Sequence, residues 1–148
     1  MAFYGGEVDG ICRWSVTTGK VGDVEIEAFV ENVHAIAEAT MPGYVVLDIV
    51  HGISMPTPLQ RQRVAEAVAA ATTKTRFLTA HALATNSAAA RGVLTAVNWF
   101  IQRTFDEKVF GAPRDALGWL ATFSERIDID AVLADITRKV PTFGALRW

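Results

Sequence analysis

The chain has one cysteine, Cys12, in 148 residues, so no disulfide can form within it and the simplest setting is a reducing cytoplasm. It also lacks any block of like charge: 14 basic residues against 16 acidic ones leave a formal charge of −2. A nucleic-acid binder carries a basic stripe for the phosphate backbone, and none is visible here. No apolar stretch reaches membrane-spanning length before a charge or turn residue interrupts it. After Met1, the residues Ala2-Phe3-Tyr4-Gly5-Gly6 supply neither the basic start nor the apolar run of a secretory leader, so none is expected. Glycine-rich phosphate loops and Gly-x-Ser-x-Gly elbows are missing too, which removes two common routes to catalysis.

What is present is an ordinary globular composition. Apolar residues make up 51% and charged residues 20%, enough to bury a core and far from the disordered class. The length suits one domain over residues 1–148. Ala2 to Val8 and Ile11 to Val16 read as strands around Asp9-Gly10, a dipeptide suited to a tight hairpin turn. Residues 17–22 read as loop. Asp23 is placed to cap a helix whose apolar positions are Ile26, Phe29, Val30, Val33 and Ala37, and Met41-Pro42-Gly43 stops it. Tyr44 to Val50 is short, β-branched and apolar on both faces, as a strand covered on two sides must be.

Thr57-Pro58-Leu59-Gln60 is the best-marked junction: a capping hydroxyl, a proline at the first helical position and a glutamine three residues after the cap. A strand at Arg76 to Ala84 follows that helix. Asn86 or Ser87 then caps a helix with Ala90, Leu94, Val97 and Ile101 on its apolar side. Lys108-Val109-Phe110 reads as a short strand, followed by a helix with Ala116, Leu117, Leu120 and Phe123. A last helix starts at Asp128 or Asp130 and stops at Pro141. Strands separated by single helices imply right-handed crossovers. The expected fold is therefore mixed α/β, a mainly parallel sheet with an N-terminal hairpin and helices packed on it.

This order resembles the STAS family and its SpoIIAA-like relatives, which include bacterial anti-sigma-factor antagonists. The resemblance runs from about Phe3 to Leu120. It rests on the hairpin Glu7-Val8-Asp9-Gly10-Ile11, the strand Val45-Val46-Leu47-Asp48-Ile49, and Lys108-Val109-Phe110 followed by Ala116-Leu117-Gly118-Trp119-Leu120. It implies a domain core at about 3–123, with an extra C-terminal helix and tail at about 124–148. It also implies a non-enzymatic regulatory module that binds a kinase-like or other regulatory protein. In the antagonists a serine after the central strand is phosphorylated, typically in an Asp-Ser-Ser-Gly-like loop. The matching stretch here is Ser54-Met55-Pro56-Thr57-Pro58-Leu59, without that aspartate or glycine. Thr57 and Ser54 are the candidate phosphorylation sites, and Thr57 also has an ordinary role as a helix cap.

Ligands of open α/β sheets bind beyond the carboxyl ends of the parallel strands. That edge gathers His51, Ser54, Thr57 and Leu59 with Asn86, Ser87 and Arg91, the candidate surface for a protein partner or an anion. A second reading is a small-ligand carrier or sensor, with a lipid, nucleotide or other anion near the same edge. A third, an enzyme using His51, Asp48 or Arg91, requires a cleft that joins those groups. His34, His51, His81 and Cys12 show no metal-ligand spacing, so no metal, cofactor or catalytic residue is expected. Asn98-Trp99-Phe100-Ile101 makes its helix apolar around much of its circumference. That helix and the tail Phe143–Trp148 are expected to pack on their own chain or on a second copy, as in a homodimer.

Overall fold

The computed structural model describes residues 2–99 and 101–148. Five strands form one sheet in the order β1 (Ala2–Val8), β2 (Cys12–Thr18), β3 (Val45–His51), β4 (Ala80–Thr85) and β5 (Asp106–Phe110). β1 pairs antiparallel with β2, and the other pairs are parallel. This is the mixed, mainly parallel α/β sheet with an N-terminal hairpin expected above. Asp9 and Gly10 both take positive φ, 53° and 68°, the conformation for which the Asp-Gly pair is suited.

The three crossover helices are α1 (Asp23–Ala37), α2 (Pro58–Thr72) and α3 (Ala88–Asn98). The opposite layer is made by α4 (Pro113–Leu120) and α5 (Ile129–Lys139), with single 3-10 turns at Ala121–Phe123 and Phe143–Ala145. On that side the core is tightly closed. Trp14, Val16, Leu47 and Ile49 from the sheet meet Leu117, Leu120, Val132 and Ile136, all buried. Ala80, Ala82 and Ala84 are small, so α4 lies close over β4. Trp14 is accommodated by Gly6, where a Cβ would stand 2.5 Å from the indole. Its Nε1 donates to Asp135 at 3.0 Å, which satisfies the one polar atom of a buried ring.

Several boundaries differ from the expectations, each for a local reason. β2 runs on to Thr18 because Thr17 and Thr18 find partners in Val50 and His51. β4 starts at Ala80 rather than Arg76, since its partner β3 starts at Val45 and leaves the residues from Arg76 beyond the sheet. Gly22, not Asp23, is the cap of α1, and its N–H donates to Glu25 at 2.8 Å. Ser87 caps α3 and Asp128 caps α5. α3 ends at Asn98, so Ile101 lies past the helix; Trp99 is 78% exposed, and Phe100 lies outside the described residues. Trp119 is half-buried, stacked edge-on against Phe123 at 4.9 Å. The tail folds back on its own chain: Phe143 is buried, Leu146 packs on the core and Trp148 meets His51 at 4.8 Å.

Candidate functional site

The loops after β3 and β4 do adjoin, as the sequence suggested, through a hydrogen bond from the Gly52 N–H to Asn86 at 3.0 Å. Their polar groups, however, serve one another. Thr57 accepts from the Gln60 N–H at 3.1 Å and donates its own N–H to Gln60 Oε1 at 2.9 Å, the full capping box. Ser54 Oγ accepts from the Val21 N–H. Ser87 Oγ accepts from the Ala90 N–H, and Arg91 donates to the Thr85 carbonyl. His51 Nε2 pairs with the carbonyl of Arg147 at 2.8 Å, so the tail occupies it. Asp48 does not meet His51 or Arg91; its carboxylate is bonded to Ser15 and His81. Leu59 stands free of this network and is 78% exposed.

Asp48 instead belongs to a buried ionic group that the sequence reading missed. Along β3, β4 and β5, alternate residues face the helices α1–α3. In this register His81 sits directly opposite Glu107, and Asp48 lies two residues beyond Val46, the partner of His81 on the other side. His81 Nε2 pairs with Asp48 Oδ2 at 2.7 Å and His81 Nδ1 with Glu107 Oε2 at 2.8 Å. Ser15 donates to Asp48, while Asn98 and Arg103 donate to Glu107. Only 13% of the His81 side chain, 15% of Asp48 and 6% of Glu107 is exposed. Burial alone pushes the imidazole down, but the hydrogen bonds and charges of the two carboxylates outweigh it and raise His81 to about 10. Burial likewise pushes Glu107 up, and His81, Asn98 and Arg103 overcome it, bringing the carboxyl down to about 2. At neutral pH His81 is an imidazolium held between two carboxylates.

This group forms part of the floor of a cavity of about 210 Å³ between the sheet and the three crossover helices. Val46, Val50 and Leu83 share the floor; Phe29 and Val33 of α1, Val64 and Val68 of α2, and Val93, Leu94 and Asn98 of α3 make the walls. The space lies where α2 packs on its neighbouring helices rather than on the strands, while α1 also touches β1. Ile26, Val30, Val64 and Ala67 form a separate small core between α1 and α2. α2 has its neighbours in α1 and α3 and makes no extensive close approach to any strand, in contrast to α4 across the sheet. The volume exceeds the 150 Å³ or so at which an apolar protein cavity holds a benzene ring, so it suits a molecule of roughly seven to ten non-hydrogen atoms.

The remaining nucleophile candidate is closed off. Burial pushes the Cys12 thiol up to about 12, on the opposite, packed face of the sheet. Among the described residues, no group of three or more His, Cys, Asp and Glu side chains is placed to hold a metal ion. No helix among them is long and apolar enough to cross a membrane.

Fold and site together define a five-stranded α/β sheet with one closed helical face and one face bearing a partly open apolar pocket over a buried charge group. No protein-family model matches the chain, and no curated protein matches it. A solved structure is similar: an uncharacterized protein from the DUF3478 family with a SpoIIAA-like fold, from Shewanella loihica PV-4. The two are 18% identical over 80% of this chain and 92% of that chain, with a TM-score of 0.49.

Proposed function

We propose that this chain binds a small, mainly apolar molecule in the space between its sheet and α1–α3, and does not transform it. The observation that carries this is the cavity itself, walled by aliphatic and aromatic side chains over a floor with a few fixed polar groups, the usual composition of a ligand site. Binding is favoured over catalysis by the state of the polar groups. Both nitrogens of His81 are committed to carboxylates, and the neighbouring hydroxyl, Ser15, gives its proton to Asp48 rather than to His81. The test is native mass spectrometry of the protein after incubation with an organic extract of cells. A small-molecule adduct on the wild type that disappears in Leu83→Phe is expected. Polypeptide mass alone in both proteins overturns the proposal.

A second reading keeps the protein partner that the sequence resemblance implies. Gln60 Nε2 donates to Asp23 at 2.9 Å and ties the starts of α1 and α2 together. Beside that tie, Val24, Met55 and Leu59 are 79%, 63% and 78% exposed around the exposed Thr57. Apolar side chains shown to water in a group suit a regulatory protein's surface, and phosphate on Thr57 would add about two negative charges among them. A complex with such a protein that survives both Leu59→Asp and Thr57→Glu contradicts this reading.

A further inference from the structure

We infer that the molecule held in this cavity carries a compact hydrogen-bond-donating head, an ammonium group on an apolar chain, rather than a carboxylate or phosphate. The inference rests on the cavity being a ligand site and asks what its polar groups can recognise. The ionisable residues that line it are Glu25, Asp48, Glu107 and His81, with no lysine or arginine among them. His81 has no N–H to offer, because both of its nitrogens face carboxylate oxygens. Asp48 and Glu107 are acceptors; both Asp48 oxygens and Glu107 Oε2 each accept one bond and retain a lone pair, while Glu107 Oε1 is filled by Asn98 and Arg103.

Asn98 settles the balance. Its Nδ2 donates to Glu107 Oε1 at 2.6 Å, while its Oδ1 is buried with no partner among the described residues. Turning the amide over does not relieve this, because it would set Oδ1 against the Glu107 oxygen, acceptor against acceptor. Asn98 lines the cavity, so the structure has a desolvated acceptor there that lacks a donor. A buried group of this kind is costly unless a partner arrives. An ammonium supplies N–H donors for Asn98 Oδ1 and for the free lone pairs of Asp48 and Glu107 Oε2, in a lining with three carboxylates and one imidazolium, Arg103 meeting Glu107 from outside that lining. A carboxylate head brings only acceptors and a like charge. This departs from the sequence-based expectation of a lipid, nucleotide or other anion, which was placed at the strand-end loops.

The experiment titrates the isotope-labelled protein at pH 7 with hexylamine, 1-hexanol and sodium hexanoate in turn. Methyl shifts of Val46, Leu83 and Val93 report the cavity, and those of Leu47, Leu117 and Val132 report the opposite face. Hexylammonium is expected to bind roughly tenfold or more tightly than hexanoate, with hexanol between them. Asn98→Leu is expected to erase most of the preference for hexylammonium over hexanol and to leave hexanol binding in place. Hexanoate binding as tightly as hexylammonium, with hexanol shifting the same methyls, overturns the inference and leaves the cavity reading intact. A failure of all three to shift the cavity methyls overturns both.

Discussion

Replacing His81 with leucine is expected to destabilise the protein by about 3–5 kcal/mol, because Asp48 would lose its charged partner and be left buried beside a second carboxylate, Glu107, which keeps Arg103. For a chain of this size that lowers the melting temperature by about 10 °C. Removing the whole group behaves differently. The triple variant Asp48→Leu, His81→Met, Glu107→Leu takes out both the charges and their desolvation cost, and is expected to be near neutral or more stable. Chemical denaturation of the two variants at pH 6 checks this contrast. A loss below about 1 kcal/mol in His81→Leu would mean that the imidazolium is not bridging the two carboxylates. The same group gives stability a particular dependence on pH. His81 is raised from its ordinary 6.5 to about 10 on folding, so its contribution is complete below pH 6.5 and is lost as the pH rises toward 10. Glu107 is lowered from 4.5 to about 2, so its contribution is complete above pH 4.5 and is lost as the pH falls toward 2. Stability is therefore expected to be greatest between these limits and to decline on both sides. The triple variant should lose both of these dependences.

The second large effect separates the two faces of the sheet. Leu47→Phe places extra atoms in the packed face, where Leu47 has no exposure, and is expected to cost about 1–3 kcal/mol. Leu83→Phe adds the same atoms one strand away, on the opposite face, where Leu83 borders the cavity. There the ring has room, so stability is expected to hold within about 0.5 kcal/mol or to rise by as much as about 1 kcal/mol. Urea midpoints of the two variants decide the matter. Equal losses in both would mean that the layer of α1–α3 is as closed as the other.

Much of the scaffold was legible in the sequence because its signals are local. Asp9-Gly10 marks a turn by its φ preferences, and Thr57-Pro58-Leu59-Gln60 marks a helix start by hydrogen bonds that span three residues. The mainly parallel character of the sheet follows from strands separated by single helices. The site was not legible, and the reason is physical. His81 lies 33 residues from Asp48 and 26 from Glu107, and they meet only through the register of three parallel strands. Read singly, Asp48 and His81 look like isolated polar residues in apolar strands, and Glu107 like one of the three charged residues that open β5. The available signal was that adjacent strands each place one such residue on the same alternating face, once paired. The cavity is harder still. Alanines in α2 resemble those of β4, yet small side chains close the gap in one layer and leave it open in the other. Which happens depends on whether neighbouring helices hold the element off the sheet, as α1 and α3 do for α2. The two strand-end loops meet through Gly52 and Asn86, and capping and turn bonds account for Ser54, Thr57, Asn86, Ser87 and Arg91, while the tail accounts for His51.

The claim on which the account turns is that the face of the sheet beneath α1–α3 admits a small apolar molecule and the face beneath α4 and α5 does not. A neutral probe measures this without reference to any head group. On titration with 1-hexanol, methyl resonances of Val46, Val50, Val64, Leu83 and Val93 should shift and saturate together with one dissociation constant, while Leu47, Leu117, Val132 and Ile136 stay fixed. Unchanged methyls on the cavity side, or shifts spread equally over both faces, would contradict it.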